Sequence, residues 1–190
     1  MRKLTLISLL LSCVALVACG DADPGGASDA SAPVTNQAAA PSGLKNLDSA
    51  CGIFSEAEFR QHFVIAEGMA LETSESGGSF PACNYQWGED LVERHIQAGG
   101  RDIQIHEPAK VMLVVARDVS ADNFQTATGV YRQPQDVAGI GDMARWDDGM
   151  SQLSFLVGRD LFHINVKASS DAEENRRLAE DMAQRLLQKL

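Results

Sequence analysis

Two turn signals divide the segment Met143–Ala168 into three short stretches of alternating hydrophobicity, and this pattern constrains the fold most strongly. The first signal, Asp147-Asp148-Gly149, is typical of a β-hairpin, and the second is Gly158-Arg159-Asp160. Side chains two positions apart in a strand share a face, so we expect one apolar and one polar face. The apolar set is Leu153, Phe155, Val157, Phe162, Ile164 and Val166, and the polar set is Gln152, Ser154, His163, Asn165 and Lys167.

The segment after this meander has the spacing of an amphipathic helix. Ser170 and Glu173 have the spacing of a capping box, which predicts the start of the helix at Ser170. Apolar side chains then recur at every fourth position, namely at Leu178, Met182, Leu186 and Leu190. We expect this stripe to cover the apolar face of the meander.

The first half of the folded part is expected to add one N-terminal helix and at least two strands. Ser55 and Glu58 form a capping box at the start of that helix. Cys83–Trp87 alternates as a strand does, and Val111–Ala116 is continuously apolar, which predicts a strand buried on both faces. Ser120 is predicted to cap another short helix.

The segment 88–107 lies between the two predicted strands Cys83–Trp87 and Val111–Ala116. We interpret Glu89–Ala98 as a short helix that ends at Gly99-Gly100 and forms an insertion between strands. The sequence as a whole predicts an α+β domain, in which an antiparallel sheet of about five strands is packed by N-terminal and C-terminal helices.

The N-terminus carries the features of a secretion signal. Met1-Arg2-Lys3 is basic, and the apolar run Leu4–Val17 is shorter than the roughly 20 residues that a membrane-spanning helix needs. The sequence Leu16-Val17-Ala18-Cys19 resembles the lipobox of bacterial lipoproteins. That resemblance implies a signal peptide at 1–18, acylation of Cys19 and a membrane anchor. The residue after Cys19 is Gly20 and not the aspartate that retains lipoproteins in the inner membrane, so we expect an outer-membrane location facing the periplasm in a Gram-negative cell.

The chain between the anchor and the domain is poor in residues that could form a core. Residues 19–44 comprise the lipidated cysteine and a segment rich in Ala, Ser, Gly and Pro, which predicts a flexible tether. Residues 45–190 are predicted to form one globular domain.

Two cysteines remain after the signal peptide and Cys19, and they are Cys51 and Cys83. An isolated pair outside the cytoplasm normally oxidises, so we expect a structural disulfide. Closing this loop stabilises a domain by about 3.5–4 kcal/mol on the chain-entropy model. A redox pair or a pair of metal thiolates is the alternative, but the sequence has neither Cys-x-x-Cys spacing nor a neighbouring histidine cluster.

The folded part also resembles uncharacterised two-cysteine lipoprotein domains of bacteria. The resemblance depends on a cysteine before a capped helix, on the motif Cys83–Trp87, and on Val137–Ala144 before a meander and a closing helix. It covers most of 47–190. These families have no assigned reaction, so the resemblance implies a fold and no activity.

Composition and motifs argue against several functions. The formal net charge of −10 disfavours nucleic-acid binding, and attachment to a membrane is expected through the lipid. No two of the four histidines have the local spacing of metal ligands, and no Gly-x-Ser-x-Gly elbow is present. The glycines of Gly139-Ile140-Gly141-Asp142 are interpreted as a tight turn. We therefore expect no metal, no cofactor and no catalytic residues.

The aromatic residues Tyr85, Trp87 and Trp146 are the remaining candidates for a functional site. They either line a binding cleft near Phe80 and Tyr131 or belong to the core. The expected function is a membrane-anchored, non-enzymatic binding module for an envelope protein or a small ligand. An accessory factor in envelope assembly or maintenance, or a hydrolase with an unrecognised site, is the alternative.

Overall fold

The computed structural model describes residues 49–190. Cys19, the predicted signal peptide and the predicted tether lie outside the described residues. None of the three helices within 49–190 is long and apolar enough to cross a membrane. The elements, in chain order, are α1 (Glu56–His62), β1 (Leu71–Ser76), β2 (Ala82–Ala98), β3 (Arg101–Ala116), α2 (Ala121–Thr128), β4 (Pro134–Asp136), β5 (Met143–Asp147), β6 (Gln152–Val157), β7 (Asp160–Lys167) and α3 (Ala172–Leu187).

All strands belong to one antiparallel sheet, so the predicted combination of helices with an antiparallel sheet is confirmed. The strand order is β1-β2-β3-β7-β6-β5-β4, and the meander β5-β6-β7 lies in it as predicted. The sheet has seven strands where about five were expected. The two edge strands were missed because β1 is almost entirely polar and β4 has only three residues, so neither has an apolar alternation.

One face of the sheet carries the main core. Leu153, Phe155, Phe162, Ile164 and Val166 are fully buried there, as the alternation predicted. The core also takes in Phe59 of α1 and, from α3, Leu178, Met182 and Leu186, whereas Leu190 is only partly buried. The two helices therefore cover the same face of the sheet.

The opposite face is covered only at one end. There α2, capped by Ser120 as predicted, places Phe124 in a second cluster with Leu156 and Leu161. Along β3 this face is less buried than the sequence suggested, since Met112 and Val114 are half-buried and only Ala116 lies under α2. The prediction that Val111–Ala116 is buried on both faces therefore holds at one end of the segment.

The predicted helix Glu89–Ala98 is wrong, because these residues belong to the long strand β2. Gly99 and Gly100 have φ angles of 59° and 76°, the conformation of a two-residue turn that joins β2 to β3. A glycine pair is equally typical of a helix end, which is why the sequence was misinterpreted. Near the start of this extension the register jumps from Trp87 to Val92 on β2, so β2 carries a bulge opposite Pro108.

The two predicted capping boxes have different outcomes. At α1, Ser55 accepts a hydrogen bond from the Glu58 amide and the Glu58 carboxylate accepts one from the Ser55 amide, which confirms the box. At α3 the N-cap is Asp171, whose carboxylate accepts a hydrogen bond from the Glu173 amide at 2.9 Å. The capping box of Ser170 is therefore wrong, because a carboxylate one residue later occupies the capping position.

The predicted disulfide between Cys51 and Cys83 is present. It ties the segment before α1 to the first residues of β2, and the Cys83 side chain is fully buried.

The predicted glycine turn is also confirmed. Gly139 and Gly141 have φ angles of 78° and 58°, and a Cβ on Gly141 would lie only 2.3 Å from the carbonyl oxygen of Leu156.

Candidate functional site

The three aromatic candidates lie in the core. Trp146 is fully buried, and Tyr85 and Trp87 are 3% and 5% exposed. Tyr85 stacks on Phe59 with ring centroids 3.8 Å apart, and Trp87 meets the same ring edge-on. Trp146 lies on β5, and three strands separate β5 from β2, which carries Tyr85 and Trp87, so the three side chains form no common cleft. The sequence left two alternatives open for these residues, a binding cleft or the core, and their burial places them in the core.

The uncovered part of the sheet is a polar surface that we call the open face. It lies on the side opposite α1 and α3, across β1, β2, β3 and β7, beyond the part that α2 covers. The register aligns Glu72, Gln86, Lys110 and Lys167 in one row and Ser74, Asn84, Met112 and Asn165 in the next. These two rows border a groove of about 510 Å³. The groove is therefore lined by amides, a hydroxyl, two lysines, one carboxylate and the apolar side chain of Met112.

A cluster of hydrogen-bonded polar side chains lies beside this groove, where α2 begins to cover the sheet. The Gln152 amide donates to the Tyr131 hydroxyl at 2.7 Å, and the Ser154 hydroxyl is hydrogen-bonded to both Tyr131 and Nδ1 of His163. Burial lowers the pKa of His163, which favours the neutral imidazole. Ser154 is fully buried, so its hydroxyl has no open approach for a substrate.

The pairing of Ser154 with His163 was missed at the level of sequence, although a signal for it existed. The tight turn between β6 and β7 pairs Val157 with Asp160, and the same register places Ser154 opposite His163. Both residues were already assigned to the polar face. Extending the hairpin register from the turn would have brought them together.

The second candidate surface is the extension of the β2–β3 hairpin, residues 88–108, which we call the arm. Neither β1 nor β7 pairs with the arm, because their ladders end at Trp87 and Lys110. Cross-strand partners share a face, so one face of the arm carries Ile96 opposite Ile103 and Arg94 opposite Ile105. Ile96 and Ile103 are 36% and 41% exposed. The arm therefore presents apolar side chains on a two-stranded ribbon with two free edges.

The other face of the arm is polar. The ring nitrogens of His95 lie 3.1 Å from a carboxylate oxygen of Glu93 and 3.2 Å from one of Asp102, and these carboxylates raise the pKa of His95.

The histidine of α1 has a structural contact. Nε2 of His62 lies 3.0 Å from the carbonyl oxygen of Leu178, a contact that joins α1 to α3. Within residues 49–190 no group of three or more His, Cys, Asp or Glu side chains is arranged to hold a metal ion.

The two adjacent aspartates of the β5–β6 turn have structural partners. The buried Asp147 carboxylate accepts hydrogen bonds from the backbone amides of Arg132, Gln133 and Met150 at 2.9–3.1 Å. Asp148 accepts from the indole of Trp146 and the side chain of Gln135. These bonds hold the turn and the segment before β4. Asp148 lies in the turn as predicted, whereas Asp147 is the last residue of β5 and pairs with Gln152.

Comparison of the chain with protein-family models, with curated proteins and with solved structures found no match. The resemblance to two-cysteine lipoprotein domains therefore stays a prediction.

Proposed function

We propose that this protein is a lipid-anchored cell-envelope lipoprotein that binds a partner protein through the arm, without catalysing a reaction. In this proposal Cys19 carries the lipid, residues 19–44 are the tether, and the domain faces the periplasm. The observation that carries the proposal is the arm itself, which leaves Ile96 and Ile103 exposed on a ribbon that is buried in the core only at its base, at Val92.

The energetics of the arm support an interaction. A two-stranded hairpin is marginally stable on its own in water, because half of its backbone groups and one apolar face lack partners. Covering the exposed parts of Ile96 and Ile103 would contribute about 1 kcal/mol each. A partner strand could also pair with a free edge of the arm and satisfy its backbone groups. Both contributions are available only when something docks on the arm.

The shape of the arm supports a protein partner in preference to a small molecule. An apolar strip on a ribbon is convex and open, whereas small ligands are bound in concave sites. The exposed Ile96 and Ile103 are bordered by charges of both signs. Arg94 forms a salt bridge with Glu107 at 3.1 Å, and Arg101 lies at the tip of the arm beside the turn. An apolar centre with a charged rim is the usual composition of a protein–protein contact.

Site-specific crosslinking in intact cells tests the proposal. A photo-reactive residue at Ala98, near the tip of the arm, is expected to give a discrete crosslinked product, and the same residue at Gln61 on the exposed side of α1 is expected to give none. The variant I96S/I103S is expected to lose the product, whereas the matched variant Q97S/Q104S on the polar face is expected to keep it. Equal products from Ala98 in both variants would contradict docking on the apolar face.

A small ligand on the open face is a second candidate function. The groove of about 510 Å³ favours it, because this volume lies in the range of small-molecule sites. The two functions use different surfaces and are compatible with each other.

A further inference from the structure

We propose that the groove on the open face binds a small ligand that carries an acidic group, a carboxylate or a phosphate, and that Lys110 and Lys167 hold this group. The proposal is independent of docking on the arm. It is carried by the position of the two lysines in the sheet and by the side chains around them.

Lys110 and Lys167 are direct cross-strand partners on β3 and β7, and both are exposed on the open face. Like charges directly opposite each other destabilise a sheet. Neither lysine forms an ion pair within residues 49–190, although the chain has an excess of carboxylates. Two adjacent ammonium groups without a protein counter-ion are suited to an anion that bridges them.

Protection of a sheet edge does not explain these lysines. Charged residues, lysines above all, are common on edge strands, where they prevent pairing with another chain. The edges of this sheet are β1 and β4, whereas β3 and β7 are neighbours in its interior. The lysine pair therefore does not have the position that this structural role requires.

The rest of the groove indicates what else the ligand carries. Asn84, Gln86 and Asn165 supply amide donors and acceptors, Ser74 supplies a hydroxyl, and the half-buried Met112 between Asn84 and Asn165 adds one apolar contact. The aromatic side chains of β2 face the core, so the groove has no aromatic platform of the kind on which an apolar ring would stack. These groups fit a ligand with hydroxyl or amide substituents beside its acidic group.

Glu72 gives the ligand an orientation. It lies on β1 in the same row as Gln86 and Lys110, two strand spacings or about 10 Å from Lys110. Its carboxylate repels an anion at the β1 end of the groove. The acidic group is therefore directed to the β3–β7 end, and the uncharged part of the ligand to the amides of β2.

Ligand-observed saturation-transfer NMR on the full chain in detergent tests the site with three probes. Galacturonate carries a carboxylate, glucose 6-phosphate carries a phosphate, and galactose is the neutral control. We expect saturable binding of at least one acidic probe with a dissociation constant on the order of 1 mM, and none of galactose. The stronger of the two acidic probes identifies the preferred acid. Absence of binding by both acids, or equal binding of galactose, overturns the proposal.

Matched variants locate the site. The variant K110Q/K167Q is expected to weaken binding of the acidic probe by about tenfold or more. R117Q/R185Q, which removes two exposed positive charges outside the groove and the arm, is expected to bind it as the wild type does. An equal loss in both variants would overturn the site in favour of a general charge effect. Thermal unfolding of K110Q/K167Q is expected at the wild-type temperature or slightly above it, because the variant relieves the opposed charges.

Discussion

Replacing Asp147 by alanine is expected to destabilise the domain strongly, although Asp147 lies at the end of a strand, next to a turn. Its carboxylate is buried and accepts three backbone hydrogen bonds, from the amides of Arg132, Gln133 and Met150. A hydrogen bond to a charged group contributes about 1.5–3 kcal/mol, and an amide left unpaired in the interior costs a similar amount. Water can reach some of these loop amides after the substitution, so we expect a total loss of about 3–4 kcal/mol, below the sum of three full bonds.

Urea unfolding of the wild type and of two variants measures this loss. The slope of the free energy against denaturant should not change, so the midpoint reports stability directly. Asp148, the neighbouring acid, is the matched control, and D148A is expected to lose about 1–2 kcal/mol, less than D147A, because Asp148 accepts two hydrogen bonds and its Gln135 donor is exposed. A loss below about 1 kcal/mol for D147A, or equal losses for both variants, would refute the assignment of the turn's stability to the Asp147 carboxylate.

Three further predictions follow from the core, the disulfide and the histidines. Y85F is expected to leave the free energy of unfolding unchanged or to raise it, because the buried Tyr85 hydroxyl has no hydrogen-bond partner among residues 49–190; a loss above about 1 kcal/mol in urea unfolding would contradict this. The double variant C51A/C83A is expected to lose about 3–4 kcal/mol, and two reactive thiols in the folded wild type would contradict the disulfide. Burial lowers the pKa of His62 and His163, so the unfolded chain binds more protons as the pH falls below the ordinary histidine pKa of about 6.5, and stability should fall with it. H163Q should flatten this fall, measured by urea midpoints, and an unchanged slope would contradict a buried neutral imidazole.

The meander shows what local pattern can predict. Leu153 and Phe155 lie between the two turn signals, Phe162 and Ile164 follow the second, and all four are fully buried on one face. The pattern succeeded because turn length fixes hairpin register, and register fixes which side chains share a face. The capping box of α1 was also predictable, because Ser55 and Glu58 form their hydrogen bonds within one turn of the helix.

The arm shows where local pattern fails. The bulge between Trp87 and Val92 interrupts the alternation of β2, and charged residues follow it on both faces. A segment with broken alternation and a terminal glycine pair fits a short helix as well as it fits a strand. Only the pairing of β2 with β3 across the Gly99-Gly100 turn distinguishes a strand from a helix here, and that pairing cannot be read from the local sequence.

Only part of the open face could be predicted from the sequence. Asn165 and Lys167 were assigned to the polar side of the meander, and they lie there. Their partners on β2 and β3 could not be found from sequence, because more than 50 residues separate Lys110 from Lys167 and no local rule sets that register. The lysine pair is visible only once β3 and β7 are known to be neighbours.

The claim that the arm is a docking surface is tested most directly by hydrogen–deuterium exchange with mass spectrometry. The measurement compares the purified full chain with the same chain in its own membranes. We expect amides of 92–107 to exchange rapidly in the purified chain and to gain protection in the membranes, whereas amides of β6 and β7 stay protected in both samples. An arm that exchanges equally fast in both samples, with no gain of protection, would contradict the claim.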